Sequence, residues 1–378
     1  MKSEQRLWTE NQGWQPGQTR LGSSAHLVFV FGARTILSKR SLFQNIKKIY
    51  PNAHVLGCSA SGEIHGSRVY DNTLTSTAAF FEDSFVKTIS MEINNRQESA
   101  KIGEQISQAI DKNNLRHIFV ISDGINVNGS ELVKGLNKHI PENVAITGGL
   151  AGDGESFEKT FVLCDAPARK NLIVVIGFYG QSLNICYGSK GGWDPFGPER
   201  VITHSDKNIL YELDGKSALD LYKRYLGEHA KGLPATALLF PLSIRLPDGK
   251  TNLVRTILSI NPNDQGMVFA GDVPEGSYAR FMKANMNRLI DGAGDAARKS
   301  NERVNCERPD LAILISCVGR KMVLKQRVEE EIESVRDMLG ENTIVTGFYS
   351  YGEIAPAKYG SPSELHNQTM TITTISER

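Results

Sequence analysis

Two stretches of this chain run through small residues into a carboxylate: Gly57-Cys58-Ser59-Ala60-Ser61-Gly62-Glu63-Ile64 and Gly347-Phe348-Tyr349-Ser350-Tyr351-Gly352-Glu353-Ile354. In both, the glutamate follows the first glycine by six positions. A looser third copy, Gly148-Gly149-Leu150-Ala151-Gly152-Asp153-Gly154, has Thr147 where the first glycine would stand and Gly152-Asp153 where the others have Gly-Glu. Glycine admits close backbone approach and positive φ. Successive exposed N–H groups, helped by hydroxyls such as those of Ser59 and Ser61, can hold an anion. Glu63, Asp153 and Glu353 would face a cationic group. The plainer alternative is that the glycines shape tight turns and the carboxylates cap helices or meet water; recurrence in three places weighs against it. No copy is GxGxxG or carries the GK[ST] of a phosphate-binding loop, so these loops give nucleotide binding little support.

Other polar residues could join this rim. Arg255 interrupts the strand-like run from Asn252 to Ser259. A guanidinium there would either clamp a carboxylate with two parallel hydrogen bonds or, by alternation, face solvent. In Ser316-Cys317-Val318-Gly319-Arg320, both Cys317 and Arg320 follow an apolar run. A nucleophilic Cys317 would need a base, and no histidine is near it in sequence. A small buried thiol is the simpler role for Cys317, and for Cys58. The eight histidines form no HxxxH or HExxH pattern. His26, His54 and His117 stand at strand starts. His65, just after Gly62-Glu63-Ile64, and His204, past a Gly/Pro-rich stretch, are better placed to reach a cavity and are the candidate metal or haem ligands. No CxxCH is present, which excludes covalent c-type haem.

Each loop must be carried by the elements before it. Leu27 to Gly32 reads as a buried strand, Leu42, Phe43, Ile46, Ile49 and Tyr50 recur at helical spacing, and His54-Val55-Leu56 leads into the first loop. Leu311 to Ser316, then Val328, Ile332, Val335 and Leu339, then Thr343 to Thr346 repeat that order before the last loop. His117 to Ser122, then Leu132, Val133, Leu136 and Ile140, then Val144 to Thr147 repeat it before the middle one. Further β-like runs follow every loop. The pattern predicts an α/β fold of mixed sheets flanked by helices, built from repeated βαβ-type units. Ligands of such sheets lie beyond the carboxyl ends of strands, where all three loops fall. A Gly/Pro-rich stretch, Gly191 to Pro198, marks a boundary between two domains, residues 20–190 and 205–378. Tyr278, Phe281, Met282, Met286, Leu289 and Ile290 read as the core stripe of one helix.

Composition removes several function classes. Lys and Arg number 43 against 42 Asp and Glu, which leaves none of the basic excess that phosphate neutralisation along a nucleic acid requires. The longest apolar runs are of strand length, too short to span a bilayer as a helix. The N-terminus, Met1 to Arg6, is charged and lacks an apolar core, so secretion is not expected. Five cysteines (Cys58, Cys164, Cys186, Cys306 and Cys317) are an odd set with no CxxC pair, which argues for free thiols and against a zinc ribbon. The expectation is a soluble, cytoplasmic protein.

The loops, in this order, resemble a known family. Gly57 to Ile64 and Gly148 to Asp153 are similar to the FIST N-terminal domain. Tyr211 to Lys216, Gly271 to Gly276, Ser316 to Arg320, Gly347 to Ile354 and His366-Asn367-Gln368-Thr369 resemble the FIST C-terminal domain. The resemblance implies a non-enzymatic sensory module that binds a small molecule, with amino acids among the proposed ligands. Stand-alone bacterial members include NosP-type nitric oxide-sensing haemoproteins that regulate histidine kinases. It thus implies haem as a cofactor in one version, an amino acid or other small carboxylate in another, and a separate histidine kinase or cyclic-di-GMP enzyme as partner, with a homodimer as a further expectation. The ligand would sit between the domains, near Cys58, Ser59, Ser61, Glu63, Gly152, Asp153, Arg255, Cys317, Arg320, Tyr349, Tyr351 and Glu353. The rival from another class is an enzyme using Cys58, Cys317 or the pair Glu63 and Glu353, which would need a base within reach and a perturbed pKa.

Overall fold

The structure, a computed structural model, describes residues 1–249, 252–261, 263–302 and 308–378. Three strand–helix–strand units form its frame. Unit one pairs Leu27–Ala33 with His54–Ala60 in parallel across helix Arg40–Ile49. Unit two pairs Leu115–Ser122 with Ala145–Leu150 across helix Gly129–Asn137. Unit three pairs Leu311–Cys317 with Ile344–Ser350 across helix Val328–Leu339. A later strand joins the first strand of each unit antiparallel: Leu74–Phe80, Leu172–Tyr179 and Met370–Glu377.

Strand alternation decides what each unit buries. Phe29 and Phe31, Phe119 and Ile121, and Ile313 and Ile315 point from three sheets into one shared core. Their neighbours turn the other way, each set under its own helices: Val28 and Val30 with Leu42 and Ile46, Ile118 and Val120 with Leu132 and Leu136, Ala312 and Leu314 with Ile332 and Val335. Full burial of side chains of this size contributes about 1.5–3 kcal/mol each. Both faces of the paired strands in each unit are therefore covered.

The units also exchange strands in a ring. The short arm after the first loop, Glu63–His65, pairs with Thr346–Phe348 of unit three. The arm after the last loop, Gly352–Pro356, pairs through Gly352–Ile354 with Gly148–Leu150 of unit two. The arm after the middle loop, Val162–Cys164, pairs with Leu56–Cys58 of unit one. Each of these three sheets thus contains at least one strand lent by a neighbour.

Residues 194–283 build a separate nine-stranded sheet around helix Ala218–Leu226, with its own core of Leu219, Tyr222, Leu242, Phe269 and Phe281. The stripe read as one helix is divided here. Tyr278–Lys283 is a strand of this sheet, and the helix begins only at Met286, running to Asn301. Asn285 is the reason: its side chain accepts from the Arg288 N–H at 3.3 Å and caps the helix start. Cys58, Cys164 and Cys317 are free, but Cys186 is disulfide-bonded, which corrects the expectation of five thiols. Cys306 lies outside the described residues. No helix among the described residues is long and apolar enough to cross a membrane.

Candidate functional site

The strand exchange brings the three loops together, and they bind one another. Gly152 N–H donates to Ser59 O at 2.9 Å, Ser61 N–H to Tyr349 O at 2.9 Å, Tyr349 N–H to Gly62 O at 2.9 Å and Tyr351 N–H to Leu150 O at 3.2 Å. The serine side chains join in. Ser59 Oγ accepts from Phe161 N–H at 3.0 Å and Ser61 Oγ from Gly154 N–H at 3.0 Å. A side chain on Gly152 would meet Ser61 Oγ at 2.3 Å, so glycine there serves loop-to-loop contact. The open N–H cradle expected from sequence does not form, because these donors already have protein partners.

Glu63 and Glu353 occupy matching places and are both buried. Glu63 Oε2 accepts from Thr73 N–H at 3.2 Å and Thr73 Oγ1 at 2.8 Å. Glu353 Oε2 accepts from Thr369 N–H at 3.1 Å and Thr369 Oγ1 at 2.9 Å, while Oε1 accepts from Ser350 Oγ at 2.7 Å. Burial outweighs these donors and pushes both carboxyls up to about 8. Each ties its arm to the strand that follows.

Both arginines singled out from sequence are enclosed. Arg320 donates to Glu331 through Nε at 3.0 Å and Nη2 at 2.7 Å, to Leu289 O at 2.7 Å and to Gly191 O. Glu331 also accepts from Tyr349 Oη at 2.5 Å and Ser316 Oγ at 3.1 Å. Arg255 neither clamps a carboxylate nor faces solvent: it donates to Asp272 O at 2.9 Å and Leu365 O at 2.8 Å, and burial lowers its pKa to about 10. Cys58 and Cys317 are buried, and burial raises both thiols, so neither is a ready thiolate.

The third carboxylate lies differently. Asp153 Oδ2 accepts from Arg34 Nη1 at 2.8 Å, Lys159 N–H at 2.9 Å and Glu158 N–H at 3.1 Å, and Tyr351 Oη donates to Oδ1. Tyr351 stacks on Phe157 with ring centres 4.4 Å apart and planes 12° apart. This pair lines a cleft of about 570 Å³ between the three-unit body and the nine-stranded sheet. Ile125, Val127, Leu150 and Met322 line the cleft from the body; Leu233, Leu238, Ile257 and Leu258 line it from the sheet. Arg96 is the charged side chain on its wall.

The two histidines are elsewhere. His65 packs edge-on to Tyr70, its buried Nε2 lacks a partner among the described residues, and burial lowers its pKa. His204 is exposed, bonded through Nδ1 to Glu275 at 3.1 Å and stacked on Tyr211. Neither lines the apolar cleft. Among the described residues, no three His, Cys, Asp or Glu side chains converge as a metal site.

Sequence reading passed over Arg34, Phe157, Glu331 and Lys321, whose Nζ donates to Ser61 O at 2.9 Å and pairs with Asp71. One signal was available. Arg34 follows the first strand of unit one as Arg320 and Lys321 follow that of unit three.

The FIST N domain matches residues 26–216 and the FIST C domain residues 218–356. The chain belongs to the FIST family. FIST domains are associated with small-ligand sensing in signalling. An uncharacterised protein of Methanocaldococcus jannaschii is similar to this FIST chain, at 25% identity over 340 residues, covering 83% of the chain. The chain spans 64% of that relative's length. A solved cyanuric acid hydrolase from A. caulinodans aligns over 78% of this FIST protein and 99% of its own chain, with 10% identity and a TM-score of 0.19, too slight a likeness to bear on fold or reaction. The junction of the two FIST segments, near residue 217, is crossed by shared sheets: the arms at Glu63 and Gly352 each pair across it.

Proposed function

We propose that this FIST protein is a small-ligand sensor whose ligand occupies the apolar cleft lined by Tyr351 and Phe157. The observation that carries this reading is the cleft itself. It has ligand size, apolar walls from two separately packed bodies and, at Tyr351, a lining ring whose hydroxyl donates to Asp153. A ligand touching both bodies favours the spacing at which both sets of contacts are made, and that bias is what a partner would read. A separate histidine kinase or cyclic-di-GMP enzyme suits that output.

The lining favours an apolar amino acid or related small carboxylate, its body among Leu233, Ile257 and Met322 and its carboxylate toward Arg96. Haem fits this cleft poorly, because among the described residues no histidine or cysteine lines it to serve as an axial ligand. A haem held by His65 or His204 would need another site. Non-enzymatic action agrees with the buried, protonated-leaning thiols and carboxyls.

The test is a thermal-shift screen of amino acids and small aromatic carboxylates, with hemin absorbance titrated in parallel. An apolar amino acid at a hundred times its Kd stabilises by about 2.7 kcal/mol. Leu258→Trp, which fills the cleft from its half-exposed rim, should abolish that shift. If no apolar carboxylate raises the melting temperature, the cleft reading fails. A Soret band that survives Leu258→Trp but is lost in His65→Ala or His204→Ala would move the sensor to haem at another site.

A further inference from the structure

A second cavity, about 800 Å³, opens beside strand Leu183–Lys190 and helix Met286–Asn301, and none of its lining residues belongs to the apolar cleft. Its charges do not balance. Arg288 is engaged by Asp194 at 3.0 Å, and Asp295 by Arg298 at 2.5 Å. Lys190, Lys299 and Lys358 line the same space and form no ion pair among the described residues; Asp291 is the carboxylate left to face them. Lys299 makes only a long bond, 3.4 Å, to Ser189 O.

We propose that this cavity binds a small phosphate ester bearing two or more negative charges, held by Lys190, Lys299 and Lys358. Three ammonium groups around one cavity repel one another until an anion enters. Lys299 carries the mark of this: burial, and then the like charge of Lys190, lower its pKa. Arginine's fork would serve a carboxylate or a phosphate, and the arginine on this wall is already tied to Asp194. The free cations are lysines, point charges on flexible stems that commonly bind phosphate, and a pyrophosphate group brings its charge closer together than three separate carboxylates do. The floor is preformed, since Trp193 is buried and donates from Nε1 to Gln368 O at 2.8 Å. The volume lies within the roughly 300–1,000 Å³ of small-molecule sites. Recognition here uses side chains, which agrees with the lack of a glycine-rich phosphate loop.

Calorimetric titration of the full chain at low salt with pyrophosphate, ADP and citrate tests the assignment. Pyrophosphate and ADP should bind one per chain, more tightly than citrate, and weaken as salt is raised. The Lys190→Gln/Lys299→Gln double variant removes no ion pair formed among the described residues, so its melting temperature should hold while its affinity for both phosphates falls roughly tenfold or more. Leu258→Trp, which blocks the apolar cleft, should leave phosphate binding untouched, so the two sites can fail separately. The proposal is overturned by absence of saturable binding at millimolar pyrophosphate and ADP. Equal affinity in the double variant, or citrate binding as tightly as pyrophosphate, also overturns it.

Discussion

Arg320 and Glu331 show what a charge can do inside this protein. Both side chains are fully buried, and Glu331 gathers Arg320, Tyr349 and Ser316 around one carboxylate. Such a pair adds little over an apolar filling, but breaking it leaves one charge uncompensated. Arg320→Ala should therefore cost about 3–5 kcal/mol, read as a lower urea midpoint. Glu353 behaves differently because its neighbours are neutral donors. Its folded pKa of about 8 stands above the ordinary 4.5, so the folded state holds a proton that the unfolded chain releases. Its contribution is complete below pH 4.5 and is lost as pH rises through about 8. Glu353→Gln, which mimics the protonated acid, should flatten the fall in stability over that window. The slope left over belongs to Glu63 and Glu364, shifted in the same direction, and is opposed below pH 6.5 by His117 and His366, which burial holds neutral. Urea melts at several pH values would show it; an unchanged slope would mean that Glu353 is ionised in the fold.

At the scale of the element, the glycine at the fourth position of each second strand matters more than the loops' polar residues. An added Cβ on Gly57 would lie 1.7 Å from Val30 O, on Gly148 2.0 Å from Val120 O, and on Gly347 1.8 Å from Leu314 O. The same clash in three units shows that Gly148, and not Thr147, is the equivalent of Gly57 and Gly347. The middle loop then reaches its carboxylate, Asp153, one residue sooner. Gly347→Ala must push apart two central strands, and a loss above about 4 kcal/mol is expected, seen as insoluble expression or a collapsed melting temperature. Much of this frame was legible. Apolar runs with helical stripes between them marked all three units, because both signals are local. Partners remote in sequence were not legible. Nothing near Arg320 announces Glu331 as its mate, and nothing near Glu63 shows that its arm crosses to unit three. The Tyr278–Ile290 stripe misled for a related reason: apolar spacing there fits a helix, and only the Asn285 cap divides it.

At the scale of the whole molecule, the family boundary near residue 217 is no seam. Cutting there would strip unit two of the Gly352–Pro356 arm and leave Glu63–His65 without Thr346–Phe348. Residues 1–216 expressed alone should expose unpaired strand edges, bind a hydrophobic dye and aggregate. A monomeric fragment with cooperative unfolding would contradict that. The nine-stranded sheet has a core of its own, so relative movement between it and the body is where a ligand in the cleft would act.

The ring of lent strands also sets an order of events during synthesis. Unit one receives its borrowed strand from unit two, both early in the chain, so that sheet can close while translation continues. Unit two must wait for Gly352–Pro356, some two hundred residues later, and the Glu63 arm waits for Ile344–Ser350. On a nascent chain emerging at roughly 5–20 residues per second, two strand edges stand open for at least ten seconds or so. Residues 344–356 then close two sheets at once. A ribosome stalled just short of residue 344 would carry units one and two that are still, in their hydrogen bonding, an open ring.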